Sequence, residues 1–302
     1  MSGRGEVRVV ADAAELTRVA AEEVVAALAP RGGAAAAPSV PGVSNASSTP
    51  GTSGAAGVPS WALAGGSTPR ALYRLLADPA APFRGRMDWA ALQFFWGDER
   101  HVPPDHPDSN YRMAREAMLD QVPAPAAHVH RIHAEEPDAA RAAERYEREL
   151  TEVFGLRRDG AIDDEAAARN GAAPAAARDT WPRFDLVLLG LGEEGHTASL
   201  FPGSPLLAKP DPKLLAEPQQ RLAAAVWVEA QQTWRITLTP PVLNGAATVI
   251  FLVSGAAKAP ALAEVLEGEL RPELYPAQVI APVDGKLLWL VDRAAAARLQ
   301  AI

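Results

Sequence analysis

Phe184-Asp-Leu-Val-Leu-Leu-Gly-Leu-Gly-Glu-Glu-Gly-His-Thr-Ala-Ser-Leu-Phe-Pro202 is the stretch whose reading decides the fold. Leu186 to Leu189 form an uninterrupted apolar run of strand length, the pattern of a strand buried on both faces of a parallel sheet. The run stops at Gly190, Gly192 and Gly195, which carry no Cβ and so let backbone approach a ligand. His196 follows, and an imidazole titrates near neutrality. Open α/β sheets build their sites beyond the carboxyl ends of such strands, so the stretch points to an α/β protein with His196 as a catalytic residue.

Working outward, the same alternation of strand and helix recurs. Glu6 to Val10 reads as a strand. Asp12 followed by Glu15 is a capping-box pattern, and Leu16, Val19, Val24 and Leu28 fall on one helical face. Further strands are expected at Trp61 to Ala64, Leu92 to Trp96, His128 to Ile132, Ala223 to Val228, Arg235 to Leu238, Thr248 to Ser254 and Leu287 to Val291. Helices are expected after Pro69, after Ser109, from Pro137 to Phe154, near Pro241 to Asn244, from Ala256 to Leu266 and from Ala294 onward. Helices between strands at these spacings imply βαβ crossovers, a mainly parallel, doubly wound sheet and helices on both of its faces. The 302 residues suit one domain, 1–302, interrupted by two low-complexity inserts at about 32–60 and 157–180. Between Gly32 and Ser60, 25 of the 29 residues are Ala, Gly, Ser, Pro or Thr, too few apolar groups to offset chain entropy.

Chemistry gathers where strands end. Gly65-Gly66-Ser67-Thr68-Pro69 joins a strand to a helix and offers free backbone N–H groups and a helix dipole to a phosphate. Ser67 also reads as a simple helix cap with Pro69 in the first turn, and the two readings are compatible. Gly97-Asp98-Glu99-Arg100-His101 crowds charged and titratable groups at another strand's end, where a structural salt-bridge cluster is the plain alternative. Asn110, near the start of its helix, is placed to share a rim with Arg100. Arg100 offers a planar fork and Lys258 a point charge for an anion, with Arg235 a further candidate. His128, His130 and His133 have no acidic or thiolate partner at a ligand spacing, so they read as partly exposed strand residues and no metal site is expected.

These segments resemble a known family. The order G-L-G-x-x-G-H-T-A-S-L-F-P after a strand is similar to the signature of 6-phosphogluconolactonases within the glucosamine-6-phosphate isomerase/6-phosphogluconolactonase family. Leu63-Ala-Gly-Gly-Ser-Thr-Pro69, Trp96-Gly-Asp-Glu-Arg-His-Val102, Asp108-Ser-Asn-Tyr111, Arg235-Ile-Thr-Leu-Thr239 and Val253-Ser-Gly-Ala-Ala-Lys258 keep the family's order. The resemblance implies a three-layer α/β/α fold and hydrolysis of 6-phosphoglucono-δ-lactone in the oxidative pentose phosphate pathway, with His196 as general base and neither metal nor cofactor. It further implies a phosphate held by Gly65 to Thr68, Arg100 and Lys258, with Arg235 on the phosphate or a sugar hydroxyl, and Asp98 orienting Arg100, His196 or a hydroxyl. The family usually has Asp two residues before the histidine; this chain has Glu194. The isomerase branch continues after its histidine as I-A-F-N-E-P, whereas here Phe201 stands where that glutamate would be. A non-catalytic sugar-phosphate sensor is the reading of a different class, and the sequence has no helix-turn-helix ahead of the first strand to favour it.

Composition sets the outer limits. A net charge of −8 argues against a nucleic-acid surface, so any anionic ligand must be held by a local cluster. With no cysteine, disulfides and thiolate metal sites are excluded. No apolar run reaches the roughly eighteen residues of a membrane span, and the first residues lack the apolar core of a signal peptide. A cytoplasmic, soluble protein is expected, monomeric or weakly self-associating, whose partner is a small sugar-phosphate lactone rather than nucleic acid or membrane.

Overall fold

The computed structural model describes residues 4–29, 59–156, 181–207 and 221–300. Both expected inserts lie outside these residues, apart from Pro59 and Ser60. Ser60 belongs to a strand: it is fully buried and its N–H and hydroxyl donate to Asp185 at 2.9 and 3.0 Å, which composition counting cannot see.

Among the described residues, nine strands form two sheets. β1 (Glu6–Val10), β2 (Ser60–Leu63), β3 (Gln93–Trp96), β5 (Leu186–Gly190), β8 (Thr248–Val253) and β9 (Lys286–Asp292) make a six-stranded sheet in the order β1-β9-β8-β5-β2-β3. Every pairing in it is parallel. From β2 the chain winds outward to β3, and from β5 it winds the other way to β8 and β9. The crevice between the carboxyl ends of β2 and β5 is therefore the point where the winding reverses, the usual place for a ligand in such sheets. α1 (Ala13–Ala27) packs on β8 and β9 and on α2 (Ser67–Ala77), which in turn contacts α3 (Asn110–Ala117). Asp12 caps α1 as its spacing predicts, accepting from the Ala14 and Glu15 amides, while Glu15 reaches back to the Ala11 N–H at 2.7 Å.

The second sheet is not visible in the sequence pattern. β4 (Asp98–Arg100), β7 (Thr233–Leu238) and β6 (Ala223–Val228) form a three-stranded antiparallel sheet in the order β4-β7-β6, covered by α4 (Ala139–Phe154). The charged segment after β3 is therefore a strand in its own right rather than the tail of one. Gly97 joins the sheets: its N–H donates to Leu63 of β2 at 2.9 Å and its carbonyl accepts from Leu238 of β7 at 2.9 Å.

Three expected elements differ. His128 to Ile132 forms no strand: Ala126–His128 is a 3₁₀ turn and Val129 makes one isolated bridge to Phe94. His130 is buried rather than partly exposed, stacked on Phe95 at 4.6 Å with its ring nitrogens 2.9 and 2.6 Å from Glu149 and Gln93. After Ala294 the described residues form a 3₁₀ turn, Ala295–Arg298, rather than the expected helix. At Ser67 the helix has already begun; the cap position is Gly66, with φ of 103° and no side-chain cap. α5 (Pro240–Asn244) follows β7 directly, and α6 (Ala259–Leu266) follows β8 through the 3₁₀ turn Ala256–Lys258.

Candidate active site

A cleft of about 290 Å³ opens at the winding reversal. The parallel sheet contributes one wall: Ala64, Gly65 and Gly66 from the end of β2, Leu188 to Gly192 from β5, then His196 and Ala198, with Lys258 beyond β8. The antiparallel sheet contributes the other: Gly97, Asp98, Arg100 and Arg235, backed by Asn110 at the start of α3. Ser67 and Thr68 begin α2 just past Gly66 and are not among the lining residues, so from that segment the wall has Gly65 and Gly66 but neither hydroxyl-bearing residue.

His196 is held by packing. The Gly192 N–H donates to the His196 carbonyl at 2.8 Å, and a Cβ added at Gly192 would lie 1.9 Å from the imidazole Nδ1, so only glycine lets the ring lie there. Gly195, with φ of 81°, occupies the left-handed region and turns the chain into the histidine. Phe201 stacks on the imidazole with ring centroids 4.2 Å apart. Glu194 Oε1 lies 3.2 Å from Nδ1, within ion-pair reach but off the direction of a ring N–H, so Nδ1 is buried without a hydrogen-bond partner. Burial holds the His196 pKa below the ordinary histidine value; Glu194 and Asp98 oppose that shift and Arg235 adds to it. Burial opposes ionisation of Glu194, yet its own backbone amide and His196 hold its carboxyl below the usual range.

The turn after His196 is bound to the opposite wall. Ala198 adopts φ of 46°, an uncommon conformation for a residue with a Cβ, and Leu200 N–H closes the turn onto Thr197 at 2.9 Å. Ser199 then donates to Asp98 Oδ2 at 2.6 Å, and its N–H lies 3.3 Å from the Thr237 hydroxyl. Asp98 also accepts from the Asn110 amide, at 2.9 Å on its carbonyl and 3.3 Å on Oδ1, and faces Arg235 at 3.8 Å. A Cβ at Gly65 would sit 1.9 Å from Asn110 Oδ1, so that glycine is what allows the amide its place.

Alternation along β4 splits its three residues. Asp98 and Arg100 face the cleft, as does Arg235, the partner of Arg100 on β7. Glu99 points the other way and is 2% exposed. Its carboxylate accepts from the Asn110 and Tyr111 amides at the start of α3 (2.7 and 2.8 Å), the Ser109 hydroxyl (3.0 Å) and the Arg100 amide (2.8 Å). Burial nevertheless raises its pKa to about 7.

The cations of the cleft are incompletely satisfied. Arg100 donates to the Asp108 carbonyl at 2.6 Å and Arg235 to Gln231, but the Nε of each is buried with no acceptor. Burial also depresses the Arg235 guanidinium below its ordinary pKa, the expected response of a desolvated cation. Lys258 lies 3.7 Å from Glu193, an exposed carboxylate. Among the described residues no group of three His, Cys, Asp or Glu side chains is arranged to hold a metal ion. Glu99, Ser199 and Phe201 are the contributors that the sequence pattern passes over. The alternation Asp98-Glu99-Arg100 could have flagged Glu99 had the segment been read as a strand.

The family profile described as glucosamine-6-phosphate isomerases/6-phosphogluconolactonase matches residues 50–289. A 6-phosphogluconolactonase of Synechocystis sp. is 42% identical over 239 residues, covering 79% of this chain and 84% of that one. A 6-phosphogluconolactonase of Nostoc sp. is 40% identical over 238 residues, with 79% and 83% covered. Among solved structures, 6-phosphogluconolactonase from Trypanosoma brucei superposes with a TM-score of 0.71 at 29% identity, covering 99% of this chain and 100% of that one.

Proposed function

The chain belongs to the glucosamine-6-phosphate isomerase/6-phosphogluconolactonase family, and from that premise we propose that it hydrolyses 6-phospho-D-glucono-1,5-lactone to 6-phospho-D-gluconate. The observation that carries this reading is the composition of one cleft: an imidazole kept below its ordinary pKa, beside two arginines whose buried Nε groups have no protein acceptor, and a lysine. A neutral base and an anion grip are what a phosphorylated lactone requires.

In this mechanism His196 takes a proton from water as the water oxygen attacks C1 of the lactone. The tetrahedral intermediate collapses with cleavage of the bond between C1 and the ring oxygen. The imidazolium returns its proton to that oxygen, opening the ring to the hydroxy acid, which ionises in water. Glu194, 3.2 Å from Nδ1, stabilises the imidazolium while it exists. Asp98, bound by Ser199 and Asn110 and facing Arg235, orients the polar wall against which the sugar lies. Arg100, Arg235 and Lys258 hold the phosphate together with Gly65 and Gly66, the part of the Gly65 to Thr68 turn that lines the cleft. The position that carries a glutamate in the isomerase branch is Phe201, which has no proton to exchange.

The test is hydrolysis of freshly made lactone by the wild type and His196→Ala, each read against the uncatalysed rate. Loss of about 10² to 10⁴-fold in kcat is expected for removal of the general base. Activity within a few-fold of wild type would remove His196 from the mechanism.

A further inference from the structure

A catalytic histidine is ordinarily aligned by a hydrogen bond from its second ring nitrogen to a third group. Here that contact is poorly aligned: Glu194 Oε1 stands 3.2 Å from the buried His196 Nδ1 but off the direction of a ring N–H. The torsion that turns an imidazole about its bond to Cβ is broad and soft, so something else must fix the ring plane. Gly192 limits one edge of the ring. The face of the ring is met by Phe201, whose plane is 22° from that of the imidazole. Arg235 lies over the same phenyl ring, its Cζ 5.8 Å from the centroid, so this side chain touches both the base and an anion-binding candidate. Phe201 is itself placed by Leu200, which is fully buried at the close of the turn.

We propose that Phe201 is a positioning residue for His196, an aromatic plate that sets the plane of the imidazole and keeps water from one of its faces. The proposal rests on the reading of His196 as the base. Removing the plate has two consequences. The ring gains orientations that do not face the lactone, which lowers turnover more than binding. It also gains water, which weakens the burial that holds its pKa down. Glu194 from the same turn and Asp98 from β4 then pull the pKa upward against Arg235 from β7. Because the base works only when neutral, the acid limb of the kcat/KM profile moves to higher pH.

The experiment compares wild type, Phe201→Leu, Phe201→Tyr and His196→Ala on the phosphorylated lactone, recording kcat, KM and the pH dependence of kcat/KM. For Phe201→Leu, kcat is expected to fall about tenfold with KM changed by less than about twofold, and the acid limb to rise. Phe201→Tyr, which keeps the ring, restores both. If Phe201→Leu keeps wild-type kcat and an unmoved limb while His196→Ala is inactive, the plate is refuted and the base reading stands. If Phe201→Leu loses activity with the limb unmoved and Phe201→Tyr does not restore it, Phe201 serves the fold and the proposal fails. An active His196→Ala would overturn both the base and the plate.

Discussion

Burial draws the His196 imidazole below the ordinary histidine pKa, while the Glu194 carboxylate 3.2 Å away draws it back up. Glu194→Gln removes only the second influence. Its imidazolium is then less stable, so the acid limb of kcat/KM is expected to shift to lower pH, and kcat to fall severalfold because the transient cation loses its partner. A pH–rate profile of the variant checks both, and an unmoved limb would mean that Glu194 does not act on the base. At this scale the sequence is legible wherever the chemistry is contiguous: glycines, histidine and strand stand side by side in Phe184 to Pro202. It is silent where a residue's meaning lies in a distant partner. Ser199 looks like an ordinary turn serine until Asp98 is found 2.6 Å away.

Among the elements, β4 and α3 behave as one unit because the Glu99 carboxylate binds the first amides of the helix and the Arg100 amide. Among the described residues no cation lies within ion-pair distance of that carboxylate, and burial raises its pKa from 4.5 to about 7. The folded protein thus holds a proton there that the unfolded chain releases between those values. The stability contributed by the protonated form is complete below pH 4.5 and is lost as pH rises through about 7. Thermal melts of wild type and Glu99→Gln across this range are expected to show the wild type losing stability with rising pH relative to the variant. Parallel melting temperatures would show that Glu99 does not titrate there. Whereas β1 at the sheet edge is partly exposed, the inner parallel strands are apolar runs buried on both faces and are for that reason readable in sequence. β4 is not, being three charged residues whose strand character depends on pairing with Arg235 to Thr237. His128 to Ile132 misleads for the converse reason, since alternation is present but only Val129 finds a bridge partner.

Over the whole molecule, the cleft is a seam between two sheets joined through Gly97. Arg100 comes from one side of the seam and Lys258 from the other, so the proposed phosphate grip has two independent anchors to test. Replacing either by Ala is expected to weaken the phosphorylated lactone by roughly 1.5–3 kcal/mol, about ten- to a hundredfold, and to affect unphosphorylated glucono-δ-lactone far less. Steady-state kinetics on both substrates separates anchoring from general damage, and equal slowing of the two would place these residues on the ring or the fold. No helix of the described residues is long and apolar enough to cross a membrane. The pairing of the strands has a consequence for how the protein is made. β1 neighbours only β9 in its sheet, and β4 pairs with β7 across more than a hundred intervening residues. On the ribosome, the strand at Glu6 therefore waits for the one at Lys286, and Arg100 reaches its place only after Arg235 has emerged. Such pairings form slowly, because long loops must close before they can be made, unlike the local β6–β7 hairpin. During the wait, β1 and the β8-facing edge of β5 stand without their partner strands, open to other nascent chains in the interval in which chaperones matter most.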